Sequence, residues 1–168
     1  SPDGKTIALG SLQGLVHIID AETLQTFTLE GHDDQAIGVA FSPDGKQVAA
    51  CGITPTIQVW DLASRNLVTK LETPHPIVAV EFSPDSKSLA SAATDGTVQL
   101  WNLETKASQL TIKAHQERAT SLDFNAAGTM LATAGQDKMI KLWEVATGKQ
   151  IRAFKGHQGS VDDIELSP

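Results

Sequence analysis

The side chains with the clearest catalytic potential are a histidine, a threonine, an aspartate and a tryptophan near the end of the chain. They are His115, Thr133, Asp137 and Trp143. A hydroxyl, an imidazole and a carboxylate can act together as nucleophile, general base and orienting group in hydrolysis. One hypothesis is therefore a hydrolase that uses His115, Thr133 and Asp137. The alternative hypothesis is that these residues have a structural role, and it depends on the elements that hold them in position.

These elements belong to a repeat that runs through all 168 residues. Equivalent turns begin at Ser1, Ser42, Ser83 and Asn125, so the period is 41 or 42 residues. A second landmark keeps the same spacing: Trp60-Asp61, Trp101-Asn102 and Trp143-Glu144. A period of this size indicates stacked supersecondary units that cannot bury their apolar faces alone.

Each repeat contains short apolar runs separated by turn residues, a pattern typical of β-strands. In the second repeat the runs are 37–41, 47–51, 57–62 and 67–71, which we label strands a to d. No segment keeps a helical period, so the chain is predicted to be all-β. Four-stranded antiparallel sheets with two apolar faces hide both faces by radial stacking, which predicts a β-propeller.

Several short motifs at fixed spacing carry a family resemblance. Gly31-His32, Ser42-Pro43-Asp44-Gly45, Thr94-Asp95-Gly96 and Trp60-Asp61 resemble the motifs of the WD-repeat family, and the resemblance covers all 168 residues. It implies a single propeller domain, or a fragment of one, over 1–168. Its approximate units are 1–30, 31–72, 73–114 and 115–156, with a final strand a in 157–168.

The number of strands bears on whether the ring closes. The first repeat supplies strands b to d, the next three supply four each, and 161–166 supplies a lone strand a. These are four blades' worth of strands, which we expect to form an arc of a larger ring. Two alternatives stay open. The final strand could pair with strand b of the first repeat and close a ring, or two copies could associate through their open blade edges.

The resemblance also suggests a structural role for the histidine-containing set. In WD-repeat proteins the residues that match His115, Thr133, Asp137 and Trp143 form a buried hydrogen-bond relay. The matches in other repeats are fewer: Ser91, Asp95 and Trp101 in the third, and His32 and Trp60 in the second. Such uneven retention favours a structural role, so the chain is predicted not to be an enzyme and to have no catalytic residues.

Composition excludes several other classes of function. Thirteen basic and twenty acidic residues give a net charge of −7, which argues against nucleic-acid binding and favours a basic partner. The single Cys51 excludes an intramolecular disulfide, and His32, His115 and His157 lie in different repeats. No metal site and no cofactor are therefore predicted. No apolar run is long enough to span a membrane, and the cytoplasm is the favoured location.

Antiparallel strand order places the d–a loops and the b–c turns at one end of every blade. This loop-bearing face varies between repeats, as a specific binding surface requires, and WD-repeat proteins generally bind proteins or peptides. We predict the same here, with the docking or sensor part of a larger multidomain enzyme as the alternative. The predicted contact residues are Asp33, Asp34, Gln35, Gln116, Glu117, Arg118, Leu12, Ile53, Thr94 and Gln136.

Overall fold

The protein is a series of stacked antiparallel β-sheets. The computed structural model describes residues 1–31 and 34–167, which contain fifteen strands and no helix. Strand order within each sheet follows chain order, and the first sheet has three strands whereas the other three have four. The prediction of an all-β architecture built from propeller blades is therefore confirmed. His32 and Asp33, two of the predicted functional residues, lie outside the described part of the chain.

The four sheets are called blades 1 to 4, and their strands are four to seven residues long. Blade 1 consists of β1 (Thr6–Gly10), β2 (Val16–Asp20) and β3 (Thr26–Leu29). Blade 2 consists of β4 (Ala36–Phe41), β5 (Gln47–Gly52), β6 (Thr56–Asp61) and β7 (Leu67–Glu72). Blade 3 consists of β8 (Ile77–Phe82), β9 (Ser88–Ala93), β10 (Thr97–Asn102) and β11 (Ala107–Lys113). Blade 4 consists of β12 (Ala119–Phe124), β13 (Met130–Gly135), β14 (Ile140–Glu144) and β15 (Gln150–Phe154).

The apolar cores lie between the blades because side chains on a strand alternate between the two faces of a sheet. In β5, Val48 and Ala50 pack towards blade 1, whereas Ala49 and Cys51 pack towards blade 3. Each of the three cores takes side chains from two neighbouring blades and contains one tryptophan. These are Trp60 between blades 1 and 2, Trp101 between blades 2 and 3, and Trp143 between blades 3 and 4.

A β-bulge marks the start of the inner strand in each four-stranded blade. The register slips after the first residue of β4, β8 and β12, so Ile37, Val78 and Thr120 have no residue opposite them. A bulge re-aims the side chain of the extra residue. Val78 is buried in the core between blades 3 and 4, whereas Ile37 is 49% exposed. The same backbone irregularity thus yields a core residue in one blade and an exposed aliphatic residue in another.

The blades form an open arc, and the segment 161–166 does not close it. We expected a strand there, but the segment pairs with no strand and instead runs beside β12. The N–H of Leu166 donates to Asp123 Oδ2 (2.6 Å), and Ser121 Oγ donates to Asp163 Oδ1 (2.7 Å). One backbone hydrogen bond, from the N–H of Val161 to the oxygen of Gly135 (3.3 Å), joins these side-chain contacts, but no strand ladder forms. In the described residues β1 pairs with β2 alone, so the closed four-blade ring is not observed.

Two carboxylates interact between the inner strands of blades 3 and 4. Burial raises the pKa of Glu81 on β8 to about 7, and the negative charge of Asp123 on β12 adds to this rise. A carboxyl group whose pKa is higher in the folded state favours unfolding once it ionises. Stability should therefore fall as pH rises from the ordinary pKa of 4.5 to about 7.

Replacing Glu81 by glutamine should remove this penalty. We expect Glu81→Gln to stabilise the fold by about 1–2 kcal/mol near pH 8, after allowance for solvent screening, and to change little near pH 4. Urea denaturation at both pH values measures the difference. Glu104→Gln, on an exposed turn, is the matched control. A Glu81→Gln variant no more stable than the parent protein near pH 8 would contradict the expectation.

Candidate functional site

His115, Thr133, Asp137 and Trp143 meet in blade 4 and form a continuous chain of hydrogen bonds. Trp143 Nε1–H donates to Thr133 Oγ1 over 2.9 Å. Thr133 Oγ1 lies 2.9 Å from His115 Nε2, and His115 Nδ1 lies 2.8 Å from Asp137 Oδ1. One arrangement of protons satisfies every group: the threonine hydroxyl donates to a neutral imidazole, whose Nδ1–H donates to the carboxylate.

Local structure holds these four residues in place. Thr133 and Trp143 lie on the paired strands β13 and β14, while His115 follows β11. Asp137 Oδ2 accepts the N–H of Gln116 (3.2 Å), which ties the β13–β14 turn to the β11–β12 loop. Gly135 allows the approach, since a Cβ there would lie 2.5 Å from His115 Nδ1. The loop and the turn are therefore locked together at the loop-bearing face.

The protonation states agree with this arrangement. Burial lowers the pKa of His115, although its hydrogen bond to Asp137 opposes that effect, so the imidazole is neutral near pH 7. Burial opposes ionisation of Asp137, but the hydrogen bonds from His115 and from the backbone outweigh it and lower its pKa. Thr133 is 0% exposed and His115 is 1% exposed. A hydroxyl buried in this way cannot attack a substrate, which argues against the hydrolase hypothesis.

The equivalent residues of blade 3 form only half of such a chain. Trp101 Nε1–H donates to Ser91 Oγ (2.9 Å). Asp95 instead accepts hydrogen bonds from Thr97 (2.6 Å) and Lys113 (3.3 Å), and it lies 3.5 Å from the ring of His75. The aspartate is therefore close to a histidine but is not connected to the serine through it.

Blade 2 places its tryptophan differently. Trp60 Nε1–H donates to the backbone oxygen of Glu30 (3.1 Å), and the side chain of Gln58 donates to the oxygen of Gly31. Both acceptors belong to the β3–β4 loop, so blade 2 also ties its loop to its strands. Gln58 was not predicted as a functional residue, because its only signal in the sequence is its position as the polar residue at the centre of an alternating strand.

The hydroxyl of Thr133 should be essential to the stability of blade 4. Thr133→Val keeps the shape of the side chain but leaves the Trp143 indole N–H and the His115 ring nitrogen without a partner. Unpaired buried polar groups are costly, so we expect a loss of about 3 kcal/mol in the free energy of unfolding. Chemical denaturation measures it, with Thr28→Val on the exposed face of β3 as the control. Equal losses in the two variants would refute the relay.

Among the predicted contact residues described on the loop-bearing face, most are exposed. Leu12, Asp34 and Ile53 lie at the end of blades 1 and 2, while Arg118 and Gln35 are half-buried. Thr94, Gln116, Glu117 and Gln136 are exposed on blades 3 and 4. The set is therefore spread over the whole arc, and only part of it comes together.

Three exposed aliphatic residues lie where blades 1 and 2 meet. The N–H of Ala36 donates to the oxygen of Ser11 (3.0 Å), and Ala36 lies opposite Gly52 in the β4–β5 ladder. Ser11, Ala36 and Gly52 are each followed in the chain by an exposed aliphatic residue. Leu12 is 78% exposed, Ile37 49% and Ile53 44%. We call these three residues the aliphatic patch.

The charge on the loop-bearing face differs between its two halves. At the end of strand d, as its last residue or the residue after it, blades 1 and 2 have Glu30 and Glu72, whereas blades 3 and 4 have Lys113 and Lys155. Asp34 adds a further acidic residue beside the patch, and Glu72 lies 4.0 Å from Lys70. The aliphatic patch therefore lies in the acidic half of the face.

Two further findings concern cofactors and membranes. Across 1–31 and 34–167, no three His, Cys, Asp or Glu side chains are grouped so that they could hold a metal ion. No helix long and apolar enough to cross a membrane occurs in the same residues.

Comparison with known families agrees with the fold. The family model for the WD domain, G-beta repeat, matches residues 23–61, 65–102 and 106–144. These segments cover more than half of the chain, which therefore belongs to the WD-repeat family. No curated protein gives a significant match. Domains of this family generally act as protein-interaction scaffolds and are typically non-catalytic.

Proposed function

We propose that this protein is a non-catalytic scaffold that binds another protein, or a peptide, on its loop-bearing face. The aliphatic patch is the centre of that site. The observation that carries the proposal is the exposure of Leu12, Ile37 and Ile53, each adjacent in the chain to one of the linked residues Ser11, Ala36 and Gly52 at the junction of blades 1 and 2. Apolar side chains that are exposed as a group, and not singly, mark interaction surfaces.

The patch can supply useful binding energy because the backbone around it is already ordered. Covering three partly exposed aliphatic side chains contributes roughly 1 kcal/mol each by the area they remove from water. The Ser11–Ala36 hydrogen bond and the β4–β5 ladder hold the three residues in position before a partner arrives. A preformed site loses little conformational entropy on binding, so most of this energy appears as affinity.

The surroundings of the patch favour a partner with positive charge. Glu30 and Asp34 lie in the loop that borders it, and the overall charge of the chain is −7. Such charges speed association and select the partner more than they increase affinity. The partner is therefore a protein segment with aliphatic side chains and adjacent lysine or arginine. Thr94, Gln116, Glu117, Arg118 and Gln136 would form its polar periphery on blades 3 and 4.

Substitution within the patch should separate binding from folding. Peptides selected from a random displayed library for binding to the protein should contain aliphatic residues next to lysine or arginine. Leu12→Asp and Ile53→Asp should each weaken these peptides about tenfold or more, since burying a carboxylate in an apolar contact is costly, while the melting temperature stays the same. Isothermal titration calorimetry gives the affinities.

Leu24→Asp is the matched control for these variants. Leu24 is 73% exposed and lies in the β2–β3 turn at the opposite end of blade 1, so its replacement should leave peptide affinity unchanged. Its φ of 58° is a conformation that aspartate tolerates. Peptides that bind the Leu12→Asp and Ile53→Asp variants as tightly as the parent protein would rule out the patch as their site.

A further inference from the structure

A cleft of about 640 Å³ opens between blades 3 and 4, at the end opposite the loop-bearing face. We call this opposite end, which carries the β4–β5, β8–β9 and β12–β13 turns, the turn-bearing face. The volume is within the range of roughly 300–1,000 Å³ found for ligand pockets. Its walls are the β8–β9 turn, the outer strand β11, and the β12–β13 turn with the residues that follow β14.

The turns that border the cleft lack a hydrogen bond that the turns of blades 2 and 3 share. Between blades 2 and 3 the neighbouring turns are tied together, because the N–H of Asp44 donates to Ser86 Oγ (3.2 Å). In blade 4 the residue equivalent to Ser86 is Gly128, which has no side chain to accept such a bond. The proline and aspartate of the other turns are replaced by Ala126 and Ala127, which leave space along the edge of blade 4.

The lining of the cleft combines an apolar wall with one charge. Leu100, Leu110, Phe124 and Val145 supply the apolar surface. Asp85 is the one charged side chain among the described residues that line the cleft.

The carboxylate of Asp85 is held in a fixed orientation. Its Oδ1 accepts hydrogen bonds from Ser83 Oγ (2.6 Å) and from the N–H of Lys87 (3.0 Å). The Ser83 bond, with that of the Lys87 backbone, lowers the pKa of Asp85, so the group is ionised at neutral pH. Within the described part of the chain, its Oδ2 receives no hydrogen bond and can accept one from a bound cation.

We propose that this cleft is a second binding site, for a peptide segment that carries a bulky aliphatic residue next to lysine or arginine. The aliphatic side chain lies against Leu110, Phe124 and Val145, and the cationic group reaches Asp85. The site is separate from the aliphatic patch because the two lie at opposite ends of different blades. A scaffold with both sites can hold two segments at once.

Nuclear magnetic resonance titration with the blocked dipeptide acetyl-Leu-Lys-amide tests the proposal. We expect saturable shifts at Ala126, Ala127 and Val145, with a dissociation constant of about 1–10 mM, as befits a ligand of this size. The matched probe acetyl-Leu-Glu-amide should bind at least about threefold more weakly, because its charge is repelled by Asp85. Equal affinity for the two dipeptides, or shifts confined to other residues, would overturn the proposal.

Substitutions in the protein test whether the lysine dipeptide binds in the cleft. Ala127→Leu fills the space from an exposed position and should weaken the lysine dipeptide about fivefold or more. Asp85→Asn keeps the Oδ1 acceptor but removes the charge, and it should weaken binding roughly threefold. Asp44→Asn, at the equivalent turn of blade 2, is the control and should change nothing. Unchanged affinity in Ala127→Leu would exclude the cleft.

The outcome is independent of the function proposed for the loop-bearing face. Leu12→Asp should leave binding of the dipeptide at the cleft unchanged, and Ala127→Leu should leave the peptides selected on the aliphatic patch unchanged. Loss of dipeptide binding in Leu12→Asp would show that the probe occupies the patch, and it would overturn the cleft as a site.

Discussion

Packing between neighbouring sheets is the interaction on which the rest of this structure depends. Successive residues of a middle strand point into two different cores, as Val48 and Ala49 of β5 do. A single blade would therefore expose both of its apolar faces to water, and it gains stability only when another blade covers them. The polar groups add to this framework. The complete relay of blade 4, the half relay of blade 3 and the backbone acceptor of Trp60 are three ways to satisfy one buried indole N–H.

Because stability resides between the blades, their ends can vary, and both candidate sites lie at the ends of interblade junctions. The aliphatic patch is where blades 1 and 2 meet on the loop-bearing face. The cleft is where blades 3 and 4 meet on the turn-bearing face, and there Gly128 has no side chain to make the contact that Ser86 makes with Asp44. In both places the residues that differ between the blades lie at the ends of the strands, outside the cores.

The sequence predicted the strands well because two simple patterns determine them. Alternating apolar residues and the turns at Ser42 and Ser83 placed the strands of blade 2 within one residue of β4 to β7. The exposure of Leu12 and Ile53 was also predicted, since apolar residues in turns are conspicuous. Ile37 was missed because it reads as an ordinary strand residue, and only the bulge in β4 reveals its exposure. The structure has no strand ladder at 161–166, since strand propensity cannot supply a partner for the ladder. The cleft was not predicted, because it lies beside a turn of small residues, Ala126, Ala127 and Gly128, and no sequence motif marks such a space.

The three tryptophans allow the central claim to be tested directly, since each of them reports on one core. Incorporation of fluorotryptophan, followed by fluorine nuclear magnetic resonance during a urea titration, follows the environments of Trp60, Trp101 and Trp143 in one sample. If the cores are shared between blades, unfolding of one blade exposes the cores on both of its sides. The three native signals should then disappear with the same midpoint, and Leu89→Ala in blade 3 should shift all three midpoints together. Three separate midpoints, with only the Trp101 signal affected by Leu89→Ala, would show that each blade is stable by itself and would contradict this account.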